Sequence, residues 1–434
     1  MKRVLVITYY WPPSGGSGVQ RWLKFVKYFP EFGYEPYVLT VKPEKASYPV
    51  LDPSLADEIP AGLKVFKTNT FELFNIYRKL IGKGNYPHSS FDNERKPSLM
   101  QKTSRFIRGN LFLPDSRIGW KRYAVDEGIR IISEYKINTI ITTGPPHSVH
   151  LAGLELKNLT GVNWIADFRD PWTDIFYYDA FYHTRLAKRI DANLERKVVE
   201  GCHRLTIVSQ ALKDLIRKKS DKICPGKIVV LPNGFDEDDF KTPGEPPQNE
   251  FVITYTGSLT NDTGKMNVFV ESLRNIKNEF PDIPVFCHFI GNINPSVYEI
   301  FARFGIADCV RTTPYVPHNE SVSYLKKSTA LILFLRRADY NKGILSGKIF
   351  DYLGAQKPII CIGPEDGNAS QILQECQAGR AIDYENKEGI MSYLRDLFLK
   401  WKINRNLDLQ GQEYKNYSRR NLTEKLVTVI EKIS

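Results

Sequence analysis

The sequence predicts an α/β protein made of two doubly wound, parallel-sheet domains. Three observations carry this expectation. Short apolar runs recur along the chain, stretches of 3.6-residue periodicity separate them, and one proline-rich polar segment breaks the alternation near the middle. Apolar runs without alternation suit strands buried on both faces, the habit of parallel sheets covered by helices. In the amino-terminal half, strands are expected at Val4–Thr8, Pro36–Val41, Thr139–Thr143, Trp164–Phe168, Leu205–Ser209 and Ile228–Pro232. In the second half they fall at Val252–Tyr255, Val285–Gly291, Val310–Tyr315, Leu331–Leu335 and Pro358–Ile362. Val19, Trp22, Leu23, Val26 and Phe29 repeat at helical spacing after the first strand. The span 70–125 is less regular and reads as helices with a long inserted loop. Between Lys241 and Glu250 three prolines forbid both a helix and a central strand. The expected domains are residues 1–243 and 250–411, with a helix at about 412–434 packing back on the first.

Composition narrows the function classes. A chain of 434 residues with 42% hydrophobic and 25% charged residues is an ordinary globular one. The longest apolar run, about Ala330 to Leu335, is far short of the ~20 residues of a membrane-spanning helix. The opening apolar run stops at Thr8, and no small-residue cleavage site follows. Cys202, Cys224, Cys287, Cys309, Cys361 and Cys376 lie scattered without a CxxC, which argues against a disulfide framework or structural zinc. A reducing cytoplasm is therefore expected.

The net charge is +11, and it is uneven. Residues 1–150 hold 22 Lys+Arg against 13 Asp+Glu, and the span 64–136 holds 15 against 7. Aromatics are mixed into that span at Phe71, Phe74, Tyr77, Phe106 and Phe112. This pattern predicts that the amino-terminal domain meets an anionic membrane, placing the protein in the cytoplasm or peripherally on the inner membrane. No RNA-recognition signature or zinc finger accompanies the charge, so nucleic acid is not an expected partner.

In open α/β sheets, ligands bind beyond the carboxyl ends of the strands. With two such domains the expected site is the cleft they face. The first strand runs into Pro12-Pro13-Ser14-Gly15-Gly16-Ser17-Gly18 and then a helix. Glycines there let the backbone approach a ligand, and a helix start favours an anion. A dinucleotide fingerprint would need a small residue where Arg21 stands, so a nicotinamide cofactor is not expected. A turn that merely requires positive φ accounts for one glycine more easily than for three.

Another strand exits into Gly144-Pro145-Pro146-His147-Ser148, where His147 and Ser148 can contact substrate or cap the next helix. The densest polar group is Asp167-Phe168-Arg169-Asp170-Pro171-Trp172-Thr173-Asp174. Arg169 is expected to pair with a neighbouring carboxylate or a substrate anion. A carboxylate such as Asp170 can accept a proton or bind a sugar hydroxyl, and an internal salt bridge is the competing reading. In the second half, Gly257 follows a strand and Lys265 lies shortly after. Ser346 reads as an N-cap, so Gly347 and Lys348 would open a helix whose free N–H groups suit a diphosphate. Asp351 falls on the same helix face as Lys348, placed to accept ribose hydroxyls or simply to pair with the lysine.

Five motifs in order resemble glycosyltransferase family 4 and its relatives of the GT-B fold, which has two Rossmann-like domains. They are Pro-Pro-x-Gly-Gly at 12–16, Thr-Ile-Val-Ser at 206–209, Leu-Pro-Asn-Gly-Phe-Asp at 231–236, Tyr-Thr-Gly-Ser-Leu at 255–259 and Ser-Gly-Lys-Ile-Phe-Asp-Tyr-Leu at 346–353. The Asp-Phe-Arg-Asp-Pro-Trp group looks like that of a subgroup acting in bacterial surface-polysaccharide assembly. The resemblance implies a nucleotide-sugar donor held mainly by the second domain and a glycan or lipid-linked acceptor held mainly by the first. It implies donor contacts from Gly15, Gly16, Gly257, Lys265, Ser346, Gly347, Lys348 and Asp351, and acceptor-side roles for His147, Ser148 and Asp167. The catalytic candidates are Arg169, Asp170 and Lys348. Transfer is expected to be hexosyl, retaining and metal-independent, with no cofactor. The sequence departs from the family pattern at Gly343, where the first acid of Glu-x(7)-Glu would stand. That departure keeps a catalytically impaired nucleotide-sugar-binding protein as the alternative, with a basic nucleic-acid-binding protein behind it.

Overall fold

A computed structural model describes residues 1–72, 98–242, 244–259, 266–337, 341–343 and 345–433. Phe74, Tyr77 and Lys265, named above, lie outside the described residues. The chain divides into two compact units, Met1–Pro232 with Leu422–Ser434, and Asn233–Asn421.

The first unit is a seven-stranded sheet: β1 (Lys2–Ile7), β2 (Tyr34–Val41), β3 (Lys64–Thr68), β4 (Thr139–Gly144), β5 (Asn163–Phe168), β6 (Arg204–Ile207) and β7 (Ile228–Val230). Their order is β3-β2-β1-β4-β5-β6-β7. Every pairing is parallel, and the order reverses at β1, the switch point where such sheets open a ligand crevice. The central strands are apolar on both faces; Val4, Leu5, Val6 and Ile7 are all completely buried. Helices α1 (Ser17–Tyr28), α2 (Leu99–Leu111), α3 (Lys121–Glu134), α4 (Ser148–Thr160), α5 (Arg185–Gly201) and α6 (Gln210–Arg217) follow in order. Trp22, Leu23, Phe25 and Val26 of α1 pack on one sheet face, and the terminal segment adds Leu422, Leu426 and Ile430 to the same cluster.

The second unit is a six-stranded sheet ordered β10-β9-β8-β11-β12-β13. Its strands are β8 (Phe251–Thr256), β9 (Val285–Ile290), β10 (Val310–Thr313), β11 (Ala330–Phe334), β12 (Ile359–Ile362) and β13 (Gly379–Ile382), again parallel throughout. Its helices are α7 (Asn267–Glu279), α8 (Ser296–Arg303), α9 (His318–Lys326), α10 (Lys348–Ala355), α11 (Asn368–Glu375) and α12 (Lys387–Asn404). A last helix, α13, spans Arg419–Glu431. Phe235 and Phe240 pack with α10 and β12 residues, so this unit begins upstream of the proline-rich segment. Glu237–Phe240 forms a short 3-10 helix capped by the buried Asp236, whose side chain accepts from the Asp238 amide. Among the described residues no helix is long and apolar enough to cross a membrane.

Candidate functional site

Two strand-end constellations, one on each unit, contain several of the residues singled out from the sequence. In the second unit the site grows from the carboxyl ends of β8 and β9. Gly257 has φ +103° and Gly291 φ +120°, a region that favours glycine, and the two abut. A Cβ on Gly291 would lie 2.6 Å from the Gly257 carbonyl oxygen. A Cβ on Gly257 would lie 2.5 Å from Lys348 Cε, so the lysine stem rests directly on the glycine backbone. The ammonium sits 5.3 Å from the centre of the Tyr255 ring, a cation–π contact.

Tyr352 fixes the helix that presents the lysine. Its hydroxyl accepts from the Thr256 amide at 3.1 Å and donates to the Ile332 carbonyl at 3.2 Å, tying α10 to β8 and β11. Neither tyrosine was picked out by the sequence reasoning; their signal was an aromatic two residues before Gly257 and another beside Asp351. Burial lowers the Lys348 pKa, and Asp351 opposes that shift. Burial raises the Asp351 carboxyl, while His318, Arg419 and Lys348 pull it down. His318 in turn faces Asp239 at 3.3 Å.

One expectation is corrected here. The N-cap of α10 is Gly347, one residue later than predicted, and no side chain caps it. Ser346 contributes its carbonyl, which accepts from the Ile349 amide at 3.1 Å. Lys348 is thereby the first helical residue, where amides lack intrahelical partners and the dipole is positive. The arrangement suits an anion: a cation, a helix start and two glycine turns that keep side chains away.

In the first unit, Gly16 has φ +106° with open space around it. Gly15 instead faces its own chain: its amide donates to Val50 at 3.0 Å, and a Cβ there would press on Asp52. The third glycine is explained by Arg169. A Cβ on Gly18 would fall 1.9 Å from the Arg169 guanidinium, which lies across the first turn of α1. Its ion-pair contact is Asp170 at 4.0 Å, a long one, and Asp170 is the more exposed of the two. The structure thus gathers Gly16, Gly18, Arg169 and Asp170 beside the start of α1.

Asp167 does not belong to that open group. It is completely buried and accepts from Arg21, Trp22, Thr143 and Thr206 at 2.8–3.3 Å. Arg21, itself fully buried, also donates to the Leu231 and Pro232 carbonyls. The acceptor-side role expected for Asp167 is corrected accordingly: its oxygens are spent joining α1 to β4, β5 and β6. The same pair explains why a small residue is absent at position 21.

His147 and Ser148 are buried as well. Ser148 opens α4, where Asp115 accepts from both its amide and its hydroxyl at 2.8 and 2.9 Å. This capping from outside the helix gives Ser148 a local structural task. His147 stacks on Trp172 at 4.8 Å and 9°, and burial drives its pKa well down, keeping the ring neutral. Trp172 is held by Asp191, which accepts from its indole at 2.7 Å and from the Tyr178 hydroxyl at 2.8 Å.

Burial pushes the Asp191 carboxyl up to about 6, against the pull of those two hydrogen bonds, and the neighbouring Glu195 adds to the rise. A raised carboxyl holds its proton in the folded state after the unfolded chain has released it. Stability from this group is therefore full at low pH and falls as pH rises from about 4 to 6. Thermal melts of Asp191→Asn across that range should show a shallower fall than wild type. Parallel curves would remove Asp191 as the source.

The comparisons agree with this architecture. Residues 73–239 match the model of Glycosyltransferase Family 4. Sucrose-phosphate synthase from Thermosynechococcus elongatus superposes with a TM-score of 0.60 at 11% identity, covering 100% of this chain and 99% of that one. TarM from S. aureus, in a complex with UDP, Fondaparinux and alpha-GlcNAc-glycerol, gives 0.59 at 10% identity over 99% of each chain. A putative UDP-N-acetylglucosamine 2-epimerase from Listeria monocytogenes gives 0.55 at 12% identity, covering 99% and 96%. No curated protein matches the sequence. These likenesses establish the fold, two Rossmann-like units of the GT-B type, and residues 73–239 are similar to Glycosyltransferase Family 4.

Proposed function

We propose that the protein transfers a hexose from a nucleotide-sugar donor to a glycan or lipid-linked acceptor in bacterial surface-polysaccharide assembly. The observation that carries this reading is the seat of Lys348, at the first turn of α10 with its stem laid on Gly257 and α10 anchored by Tyr352. As the bond between the anomeric carbon and the diphosphate breaks, negative charge collects on the leaving nucleoside diphosphate. Lys348 and the helix start would hold that charge without reorganising. Asp351 would hold the ribose, and Lys265 would join the diphosphate. On the first unit, Arg169, whose ion-pair contact among the described residues is a long one to Asp170, and the open Gly16 backbone would supply an anion-tolerant surface. Asp170, half-exposed, would be the carboxylate that meets the acceptor hydroxyl.

Transfer is read as retaining and metal-independent. The protein is placed in the cytoplasm, peripherally on the inner membrane, with an anionic membrane surface as a partner of its amino-terminal unit. A panel of nucleotide sugars tested by thermal shift should yield one that raises the melting temperature, because a bound donor stabilises the fold by mass action. The shift and the subsequent turnover should persist in EDTA. A requirement for Mg²⁺ or Mn²⁺ would overturn the metal-independent chemistry, and no shift with any donor would overturn the donor site.

A further inference from the structure

The turn that follows β5 is tied down almost residue by residue. The Arg169 amide donates to the Gly144 carbonyl at 3.2 Å. The Trp172 indole is held by Asp191, and the Thr173 hydroxyl donates to Glu195 at 2.5 Å. Lys219 donates to that hydroxyl at 2.8 Å and pairs with Asp174. The side chains of Arg169 and Asp170, by contrast, have no hydrogen bond among the described residues, and their mutual contact is the long one of 4.0 Å. The turn's backbone is fixed, and these two side chains are what it presents.

Two histidines pack against this turn and the end of β5. His147 stacks on Trp172, and His150 of α4, completely buried, stacks on Phe168 at 4.5 Å and 5°. Thr142 of β4 sets the His150 tautomer. Its hydroxyl accepts from the Trp164 indole at 2.8 Å and lies 2.8 Å from His150 Nδ1. A hydroxyl has one proton, and this one has no third partner among the described residues, so it donates to Nδ1 and the His150 proton is on Nε2. The His147 ring has a backbone hydrogen bond to Pro171. Proline offers a carbonyl and no N–H, so the ring is the donor. His147 Nδ1 has no hydrogen-bond partner, so the donating proton is on Nε2 and Nδ1 is an acceptor. His150 Nε2 has no partner either. This donor and this acceptor face the same point over Gly144, where a Cβ would lie 2.6 Å from His150 Nε2 and 3.2 Å from His147 Nδ1. Gly144 is not at positive φ, so its bare Cα serves space and not backbone conformation.

We propose that His147 and His150 form a polarised relay that positions the Arg169–Asp170 turn. Its hydrogen bonds run from the Trp164 indole through Thr142 to His150, from His150 Nε2 across Gly144 to His147 Nδ1, and from His147 Nε2 to the Pro171 carbonyl. The ring centres are 5.9 Å apart, so the middle link closes by a small approach of the rings or through one water. His147 is a positioning residue for Asp170, a role that rests on the acceptor-side reading of that carboxylate given above. A neutral imidazole suits it, accepting on one nitrogen, donating on the other and stacking on Trp172. Burial keeps both rings neutral and holds the His150 pKa down at about 3.

The test reads the ring protons first and needs no substrate. In long-range proton–nitrogen spectra of the full chain carrying nitrogen-labelled histidine, both rings are expected as neutral Nε2–H tautomers that do not titrate between about pH 5 and 8. A proton on Nδ1 of either ring, or titration of either ring in that window, would overturn the relay. The second arm reads turnover. His147→Phe keeps the stack on Trp172 and loses both hydrogen bonds. Its kcat is expected to fall at least ~10-fold with donor KM little changed, since a small displacement of a reacting group costs rate. His147→Gln, which retains a donor and an acceptor, should recover most of that loss. A wild-type kcat in His147→Phe, or equal losses in the phenylalanine and glutamine variants, would overturn the positioning role. Asp170→Asn separates the two readings. Full turnover there would overturn the Asp170 reading on which this rests, whereas altered tautomers beside an inactive Asp170→Asn would overturn the relay alone.

Discussion

Lys348→Ala is expected to lower sugar transfer at least tenfold while the protein stays folded. Loss of one preorganised donor to a developing anion typically costs ~10²–10³ in rate. The floor is set lower because the amides at the start of α10 remain. Alanine also opens space over Gly257 and removes the cation from the Tyr255 ring, so Lys348→Met is the better control for packing. Methionine keeps most of the stem without the charge. Both variants should melt near wild type, since α10 is held by Tyr352 and by the buried Ile349, Phe350 and Leu353. Unchanged turnover at saturating donor in the methionine variant would remove Lys348 from the diphosphate site.

The largest expected stability effect lies at Asp167. Asp167→Ala would take the carboxylate from the completely buried Arg21 guanidinium, which also donates to the carbonyls of Leu231 and Pro232. Breaking a buried pair from one side typically costs ~3–5 kcal/mol, because the remaining charge is left uncompensated. The indole of Trp22 and the hydroxyls of Thr143 and Thr206 would lose their acceptor in the same step. Burial opposes ionisation of this carboxyl, but Arg21 and the donated hydrogen bonds outweigh it and hold its pKa below the ordinary value. Removing the whole pair, as in Arg21→Met with Asp167→Leu, should recover part of the loss. Chemical denaturation gives both numbers. A cost under about 1 kcal/mol for Asp167→Ala would mean the pair is not what joins α1 to the sheet.

Much of the fold was legible because parallel strands advertise themselves. All eleven strands expected from apolar runs are present, most within two residues of the predicted ends. Among the described residues the two that escaped are β3 and β13, each at one edge of its sheet, while the opposite edges β7 and β10 are apolar enough to be seen. Lys64 is exposed in one and Arg380 in the other, so neither is an apolar run, and an edge strand needs only one partner. Periodicity likewise found α1 but gave no account of Arg21 within it, since spacing says nothing of a charge buried against a carboxylate far along the chain.

The site was legible in position more than in role. Strand ends and glycines pointed to Gly257, Lys348 and Arg169, and the folded chain sets Gly257 against Lys348 at the start of α10 and Arg169 against Gly18 in the first turn of α1. Acid clusters misled: in Asp167-Phe168-Arg169-Asp170 the first acid is completely buried in β5, and the last lies beyond the end of that strand and is half-exposed. His147 and Ser148 were visible as residues of a turn, but their stacking on Trp172 and capping by Asp115 are tertiary facts.

The central claim is that this chain moves a sugar from a nucleotide to an acceptor. The fold is shared with a putative nucleotide-sugar epimerase, so binding of a donor alone does not decide it. The direct measurement is incubation of the protein with donor labelled in the sugar, together with a membrane and glycan extract, followed by separation of the products. Label is expected to leave the nucleotide and appear in lipid-linked or glycan material, with nucleoside diphosphate released in step. Label remaining on the nucleotide as an epimer, or appearing only as free sugar, would contradict it.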